Sequence, residues 1–409
     1  MTPIFSSLSL SLLLLSGPFL FLSVRGLAPM LVLSGVCALL ALTSSPRFVD
    51  TVFLKRNALS IATVGLLVTS ALWGISERAA ETALRLVLIL AFMLAIPAMF
   101  ERLDVESQQK WSRYLASSMA LGIVCVLLIG PHNLYFPALE DWLSPYLELL
   151  RQVNAALAIF PVFLFLLLAQ AKADKPLFVF ALLGIALAVA AVSQSQTSLL
   201  AMLLGLIGLG LASVSIRLCR NIIFVTLLAS TLLAPFVFRI VYEQKWVERY
   251  TPSLLQDEAA GQTRSFIYYV FSQEALKRPL LGHGINATKN FVPETLSEYA
   301  KLTHDRPKAA ANLKVWQASG GFVSHAHNLF LQIIFEFGYI GALLILATIW
   351  QLLVRLEARS MGHPGAPFIW ASISAALGSM MFGYTIWHSW VIATLAFMVV
   401  FSRLLRPQR

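Results

Sequence analysis

The feature that most constrains this chain is the repeated occurrence of apolar stretches about 20 residues long, the length with which a helix crosses the hydrocarbon core of a bilayer. Only 12% of the 409 residues are charged and 58% are hydrophobic. Soluble domains carry roughly a quarter charged residues. The composition therefore excludes a soluble multidomain enzyme, a disordered chain and a conventional nucleic-acid binder, and it predicts a multi-pass membrane protein.

The apolar stretches number twelve and predict an all-α integral membrane protein with about twelve transmembrane helices. They lie near 7–24, 26–43, 58–75, 83–100, 114–131, 154–171, 177–193, 197–215, 221–241, 327–350, 367–385 and 387–404.

Lysine and arginine are distributed unevenly between the connections. The connections on one side of the predicted bundle, with the C-terminal tail, hold 15 of these residues, and the short connections on the other side hold 3. Because cytoplasmic loops retain basic residues, this bias predicts that both termini are cytoplasmic. The net charge of +10 is then explained by topology rather than by nucleic acid.

This topology divides the chain into three parts. Residues 1–241 form transmembrane helices one to nine, residues 242–326 form a large periplasmic loop domain, and residues 327–409 form helices ten to twelve with a cytoplasmic tail. The loop is predicted to be partly helical, over 264–278 and more weakly over 292–302. In the first of these, apolar residues recur at helical spacing until Pro279 stops the helix.

Two of the seven histidines, His325 and His327, lie where the loop meets the tenth span. An imidazole titrates near neutral pH, and at this junction it reaches both water and lipid. A catalytic role and a plain interfacial role are both open for His327, and His325 is predicted to support it. Gly338 and Gly341 are predicted to share a helix face with His327 and to allow close helix packing, whereas Glu336 lies off that face.

Arg264 opens the predicted loop helix, where free backbone N–H groups and a guanidinium together make a phosphate site. The alternative is that Arg264 is a solvated loop cation. Lys314 is predicted as a secondary anion contact, although little in the sequence distinguishes it from the other loop cations. The sequence shows no P-loop, no dinucleotide fingerprint and no carboxylate cluster for a divalent ion. We therefore expect neither a cofactor nor a metal.

These residues resemble the signature of the O-antigen ligase and polysaccharide polymerase superfamily, which comprises bacterial inner-membrane glycosyltransferases. The resemblance rests on His327-Asn328 followed by Gly338 and Gly341, and on Arg264 preceding a turn at 279–284. It implies metal-independent, inverting transfer of a glycan from undecaprenyl diphosphate to a sugar hydroxyl of lipid A–core at the periplasmic face. The partners implied are the lipid-linked donor, the glycan acceptor and membrane lipid, without nucleic acid.

The resemblance also implies roles for single residues. His327 would be the general base or orient the acceptor hydroxyl, Arg264 would hold the diphosphate, and Asn328 and His325 would orient the site. Gln196 stands where the family often has an arginine, and an amide binds a diphosphate more weakly than a guanidinium. Three other functions stay open. One is a polymerase that uses a second lipid-linked repeat as acceptor, another is a polysaccharide-related membrane transporter, and the third is a structural scaffold for glycan assembly.

Overall fold

The computed structural model describes most of the chain. The described residues are 3–15, 17, 27–43, 51–129, 147–170, 176–193, 195–246, 259–293, 296–301, 303, 309–311, 313, 314, 323, 326–381, 387, 388, 391–396 and 398.

The regular structure within these ranges is helical throughout. The α-helices are α1 Pro3–Leu14, α2 Leu27–Thr43, α3 Thr51–Thr69, α4 Ala79–Phe100, α5 Val105–Ile129, α6 Leu147–Gln170, α7 Pro176–Val192, α8 Gln196–Val214, α9 Ile216–Glu243, α10 Ala259–Lys277, α11 Leu296–Lys301, α12 Leu329–Ser360 and α13 Ala366–Met381. Two 3₁₀ turns, Ser70–Leu72 and Ala287–Asn290, are also present.

Five of these helices, α4, α5, α8, α9 and α12, are long and apolar enough to cross a membrane. Shorter apolar helices occupy other predicted spans, among them α2, α7 and α13. The chain is thus an all-helical, multi-pass membrane protein. The number of twelve spans stays a prediction, since half of 387–404 lies outside the described residues.

The helices around the loop share one end of the bundle. α8 packs most closely against α13, and α9 contacts α8, α10 and α12. The C-terminal end of α9 meets α10 where Tyr242 stacks on Tyr269, with ring centroids 4.5 Å apart. α12 also begins beside α10. The end of the bundle that contains the C-terminal end of α9, α10 and the start of α12 is named the loop end.

Helix α12 is longer than the predicted tenth span and is broken in its first half. Gly338 has φ 60° and ψ −170°, which interrupts the helical backbone. The prediction that Gly338 serves close helix–helix packing is therefore wrong. His327 precedes the helix, which begins at Leu329, so the predicted common face of His327 and Gly338 does not exist either.

Candidate functional site

The break in α12 is filled by residues 279–290, named here the inserted segment. The segment follows α10 and approaches both ends of the break. Four backbone hydrogen bonds join the two parts: His283 N–H to Phe335 O (2.9 Å), Gly284 N–H to Glu336 O (2.8 Å), Tyr339 N–H to Pro279 O (2.7 Å) and Ile340 N–H to Leu280 O (3.2 Å). The segment thus supplies the partners that the interrupted helix cannot supply itself.

Glycine is required on both sides of this contact. Gly282 and Gly338 have φ of +66° and +60°, a conformation that L side chains rarely adopt. A Cβ on Gly338 would lie 2.3 Å from the carbonyl group of Leu280, and one on Gly282 would lie 2.5 Å from that of Glu336. The predicted turn at Gly282–Gly284 is confirmed, and its partner is the helix break.

Glu336 is fully buried at the bottom of this contact. Its Oε1 accepts hydrogen bonds from the Thr288 hydroxyl (2.8 Å), the Gln332 amide (3.0 Å) and the Thr288 N–H (3.4 Å). Its Oε2 accepts from the Trp387 indole N–H (2.7 Å) and the Asn286 N–H (3.2 Å). Among the described residues, no basic side chain forms an ion pair with this carboxylate.

Helix α10 packs its apolar face against α12 and α9. The periodic residues that predicted this helix, Phe266, Ile267, Val270 and Phe271, are all at most 2% exposed. Phe271 packs edge-to-face on Phe335, with centroids 4.9 Å apart. The loop helix is therefore held on the membrane bundle by an apolar core.

The contact most relevant to chemistry joins α10 to the residue before α12. The Tyr268 hydroxyl donates a hydrogen bond to the backbone carbonyl of His327 at 3.1 Å. His327 is half-buried and has φ 51°, a conformation uncommon outside glycine. Asn328 caps α12, because its side-chain oxygen accepts from the Leu331 N–H at 3.0 Å.

Arg264 lies on α10 one helical turn before Tyr268, so the two side chains share a face. It is half-buried. Burial raises the pKa of Tyr268 to about 12, and the positive charge of Arg264 opposes part of that increase. The structure thus brings Arg264, Tyr268 and His327 into one neighbourhood. The sequence predicted that Arg264 lies at the start of this helix. The helix begins at Ala259 instead, so Arg264 lies in its second turn.

The other predicted site residues are less closely connected. Gln196 is exposed in the first turn of α8, where Ser195 caps the helix by accepting from the Ser198 N–H at 3.3 Å. Gln196 and Arg264 lie on two helices that both contact α9. Lys314 is exposed, and the contacts given for the described residues do not join it to His327. His325 lies outside the described residues.

Sequence reasoning missed two important groups. The signal for Tyr268 is its position four residues after Arg264, which places both on one helix face. The signal for Glu336 is its position four residues after Gln332, a spacing that places two polar residues on one face of the helix. In the part of the chain that the structure describes, no group of three or more His, Cys, Asp or Glu residues could hold a metal ion.

The fold and the site together define a class: a multi-pass helical membrane protein whose loop helix and broken span meet at one end of the bundle. Residues 178–346 match the model of the family described as O-antigen ligase. This region contains α10, the inserted segment and the broken half of α12. The predicted resemblance is confirmed for this region, which is similar to the O-antigen ligase family.

Three relatives illustrate the distance to known proteins, each named "Putative polysaccharide ligase". The protein from Rickettsia prowazekii is 25% identical over 216 residues, or 50% of this chain and 47% of the relative. The Rickettsia conorii protein is 25% identical, over 49% of this chain and 46% of the relative, and that of Rickettsia felis is 25% identical, over 50% and 47%. This chain therefore matches about half the length of these relatives. No solved structure matches it significantly.

Proposed function

We propose that this protein is an O-antigen ligase-type glycosyltransferase that acts at the periplasmic face of a bacterial inner membrane. It would move a glycan from undecaprenyl diphosphate to a sugar hydroxyl of lipid A–core. The observation that carries the proposal is the hydrogen bond from Tyr268 to His327, since it joins the helix that bears Arg264 to the turn that bears the imidazole. The match of residues 178–346 to the family supports the reaction class.

The proposed reaction is a direct displacement. The imidazole of His327 accepts the proton of the acceptor hydroxyl. At the same time the hydroxyl oxygen forms a new bond to the anomeric carbon of the donor glycan. The bond from that carbon to the diphosphate breaks on the opposite face, which inverts the configuration. The undecaprenyl diphosphate leaves with the bonding electron pair, and Arg264 stabilises its charge.

The remaining predicted residues have supporting roles in this proposal. Asn328 fixes the start of α12 through its cap and thereby the backbone of His327. His325 orients the acceptor beside it. Gln196 and Lys314 are weaker contacts for the anionic donor.

Gln196 favours a second candidate, a polymerase whose acceptor is another lipid-linked repeat. The family often has an arginine at this position, so the donor site of this chain differs from that of typical members. A deletion strain separates the two functions. Lipid A–core that lacks attached glycan indicates a ligase, whereas single attached repeats in place of long chains indicate a polymerase.

A transporter is less well supported. A broken helix with an intramembrane carboxylate is a feature of transporters. Here, however, the break is filled by protein backbone and the Glu336 carboxylate is occupied by five hydrogen-bond donors. No position remains on its oxygens for a coupled ion or a substrate.

The decisive experiment is glycan transfer by purified protein in liposomes, with a defined lipid-linked donor and lipid A–core as acceptor. We expect His327→Ala to slow transfer by about 10²–10⁴-fold, as loss of a general base does. Arg264→Ala should slow it by about 10²–10³-fold, as loss of one charge-stabilising group does. Transfer should continue in the presence of a chelator.

Matched controls of the same residue types are available on other elements. Arg239 is an exposed arginine on α9 paired with Glu243 at 2.9 Å, and His363 lies in the turn after α12, away from the loop end. Arg239→Ala and His363→Ala should transfer glycan at the unaltered rate. Full activity of both His327→Ala and Arg264→Ala would refute the mechanism.

A further inference from the structure

A carboxylate buried inside a membrane span is by default a candidate for ion or proton handling. Glu336 does not fit that role, because a carboxylate offers about four acceptor positions and five donors approach it within 3.4 Å. All of these donors are neutral. The Glu336 carboxylate therefore holds neighbouring parts of the protein together and leaves no acceptor position for a ligand.

The donors come from three separate parts of the chain. Asn286 and Thr288 belong to the inserted segment, Gln332 lies one turn earlier on α12, and Trp387 follows α13. The carboxylate therefore connects the inserted segment to α12 and to the residue Trp387 after α13. Asn286 extends the connection through its amide, which donates to the Thr82 hydroxyl on α4 at 3.0 Å.

The inserted segment is in turn continuous with α10. The Gly282 N–H bonds to the Arg278 carbonyl at 3.0 Å, directly after the helix ends. The His283 ring stacks on Phe335 with centroids 4.4 Å apart, and its Nε2 lies 3.1 Å from the Glu274 carbonyl of α10. A continuous series of contacts thus leads from Glu336 through the segment to the helix that carries Arg264 and Tyr268.

We propose that Glu336 is a positioning residue for glycan transfer: by anchoring the inserted segment in the break of α12, it fixes α10, and with it Arg264, relative to His327. The inference rests on the proposed function above. It goes beyond that function because it states that Glu336 sets the distance between Arg264, which holds the donor, and His327, which activates the acceptor. A shift of that distance by about 1 Å is enough to slow a reaction about 100-fold.

Glu336→Gln is the sharpest variant, because an amide NH₂ in place of either carboxylate oxygen faces groups that already donate. Thr288→Val is the milder one and removes a single hydroxyl donor. Glu357→Gln is the matched control, since Glu357 is also a buried acid of α12 but is paired with arginines far from the loop end.

Two measurements on the full-length protein in liposomes test the proposal. The first is trypsin cleavage after Lys289, an exposed lysine of the inserted segment. The second is glycan transfer per folded protein, with kcat and the donor KM determined separately. Because Arg264 still holds the donor in every variant, misalignment should lower kcat and leave the donor KM unchanged.

We expect Glu336→Gln to increase cleavage after Lys289 at least about ten-fold and to lower kcat about 100-fold. Thr288→Val should change both in the same direction and less, and Glu357→Gln should change neither. Unchanged cleavage or unchanged kcat in Glu336→Gln would overturn the inference, as would an equal loss of kcat in Glu357→Gln. The unaltered protein and His327→Ala, measured alongside, separate the two proposals. If the unaltered protein transfers no glycan, the proposed function fails. If it transfers glycan and His327→Ala is slow while Glu336→Gln is normal, only the positioning role is refuted.

Discussion

The two ends of α12 stabilise a buried carboxylate in opposite ways. Near the loop end, Glu336 is fully buried and is surrounded by neutral donors, two of them backbone N–H groups. At the other end, Glu357 is 7% exposed and is paired with Arg220 and Arg217 of α9. Arg220 also lies over the Trp350 ring, 4.6 Å from its centroid.

The different partners of Glu336 and Glu357 indicate different structural roles for the two ends of α12. An arginine pair joins two helices and tolerates small changes in backbone position, because long side chains adjust. Backbone donors fix the path of the chain itself. The loop end is therefore built for a defined loop geometry, and the opposite end for holding two helices together.

The largest expected effect comes from Gly338→Ala. A Cβ there would lie 2.3 Å from the Leu280 carbonyl and the residue would keep a positive φ, so we expect destabilisation of about 3 kcal/mol or more. Thermal unfolding in detergent measures the loss. The control is Gly210→Ala on α8, where a Cβ meets no atom within 4 Å, and a comparable loss there would show that the break is not special.

Arg220→Ala tests the opposite end. The side chains of Arg220 and Glu357 are 13% and 10% exposed, and removal of one partner of a buried pair costs about 3 kcal/mol. Because this pair lies far from the loop, glycan transfer at low temperature should persist. Arg217 is 75% exposed and 3.6 Å from Glu357, so Arg217→Ala should change the unfolding free energy by less than about 1 kcal/mol.

Tyr268→Phe sharpens the comparison at the loop end. The variant removes only the hydroxyl that bonds to the His327 carbonyl, which should reduce stability by about 1 kcal/mol. Transfer should slow by about 10-fold, since His327 loses a backbone restraint. Tyr269→Phe is the matched control, because Tyr269 stacks on Tyr242 instead, and equal slowing of both variants would speak against the restraint.

The smallest expected effect is a decrease in folding stability at acid pH that arises from His283 at the loop end. Burial lowers the pKa of His283, so the unfolded chain takes up a proton there before the folded protein does. Stability should therefore fall as the pH drops below about 6.5, the ordinary value for histidine. His283→Phe keeps the ring on Phe335 and should reduce this fall, which thermal unfolding at pH 7.5 and 5.5 measures. An unchanged pH dependence in the variant would locate the titrating group elsewhere.

The sequence predicted an all-helical, multi-pass fold correctly, because membrane spans are long and uniformly apolar. It also predicted α10, whose periodic residues Phe266, Ile267, Val270 and Phe271 are buried as expected. The contact between α10 and His327 is predicted only in part, because the sequence places Arg264 at the start of the helix and indicates no role for Tyr268.

The helix break could not be read from the sequence in the same way. Gly338 and Gly341 fit the small-residue pattern of packed helices, and nothing local distinguishes that pattern from a break. The difference depends on residues 279–284, which are more than 50 positions earlier in the chain and supply the missing backbone partners. A pattern within one helix does not contain that information.

The interrupted span has a consequence for biogenesis. An ordinary transmembrane helix pairs its own backbone and can enter the lipid as an independent unit. α12 cannot do so at residues 335–340, whose partners lie in a segment synthesised before it. We therefore expect membrane integration of α12 and packing of residues 279–284 to be coupled, because the helix obtains these backbone partners only when the earlier segment enters the break.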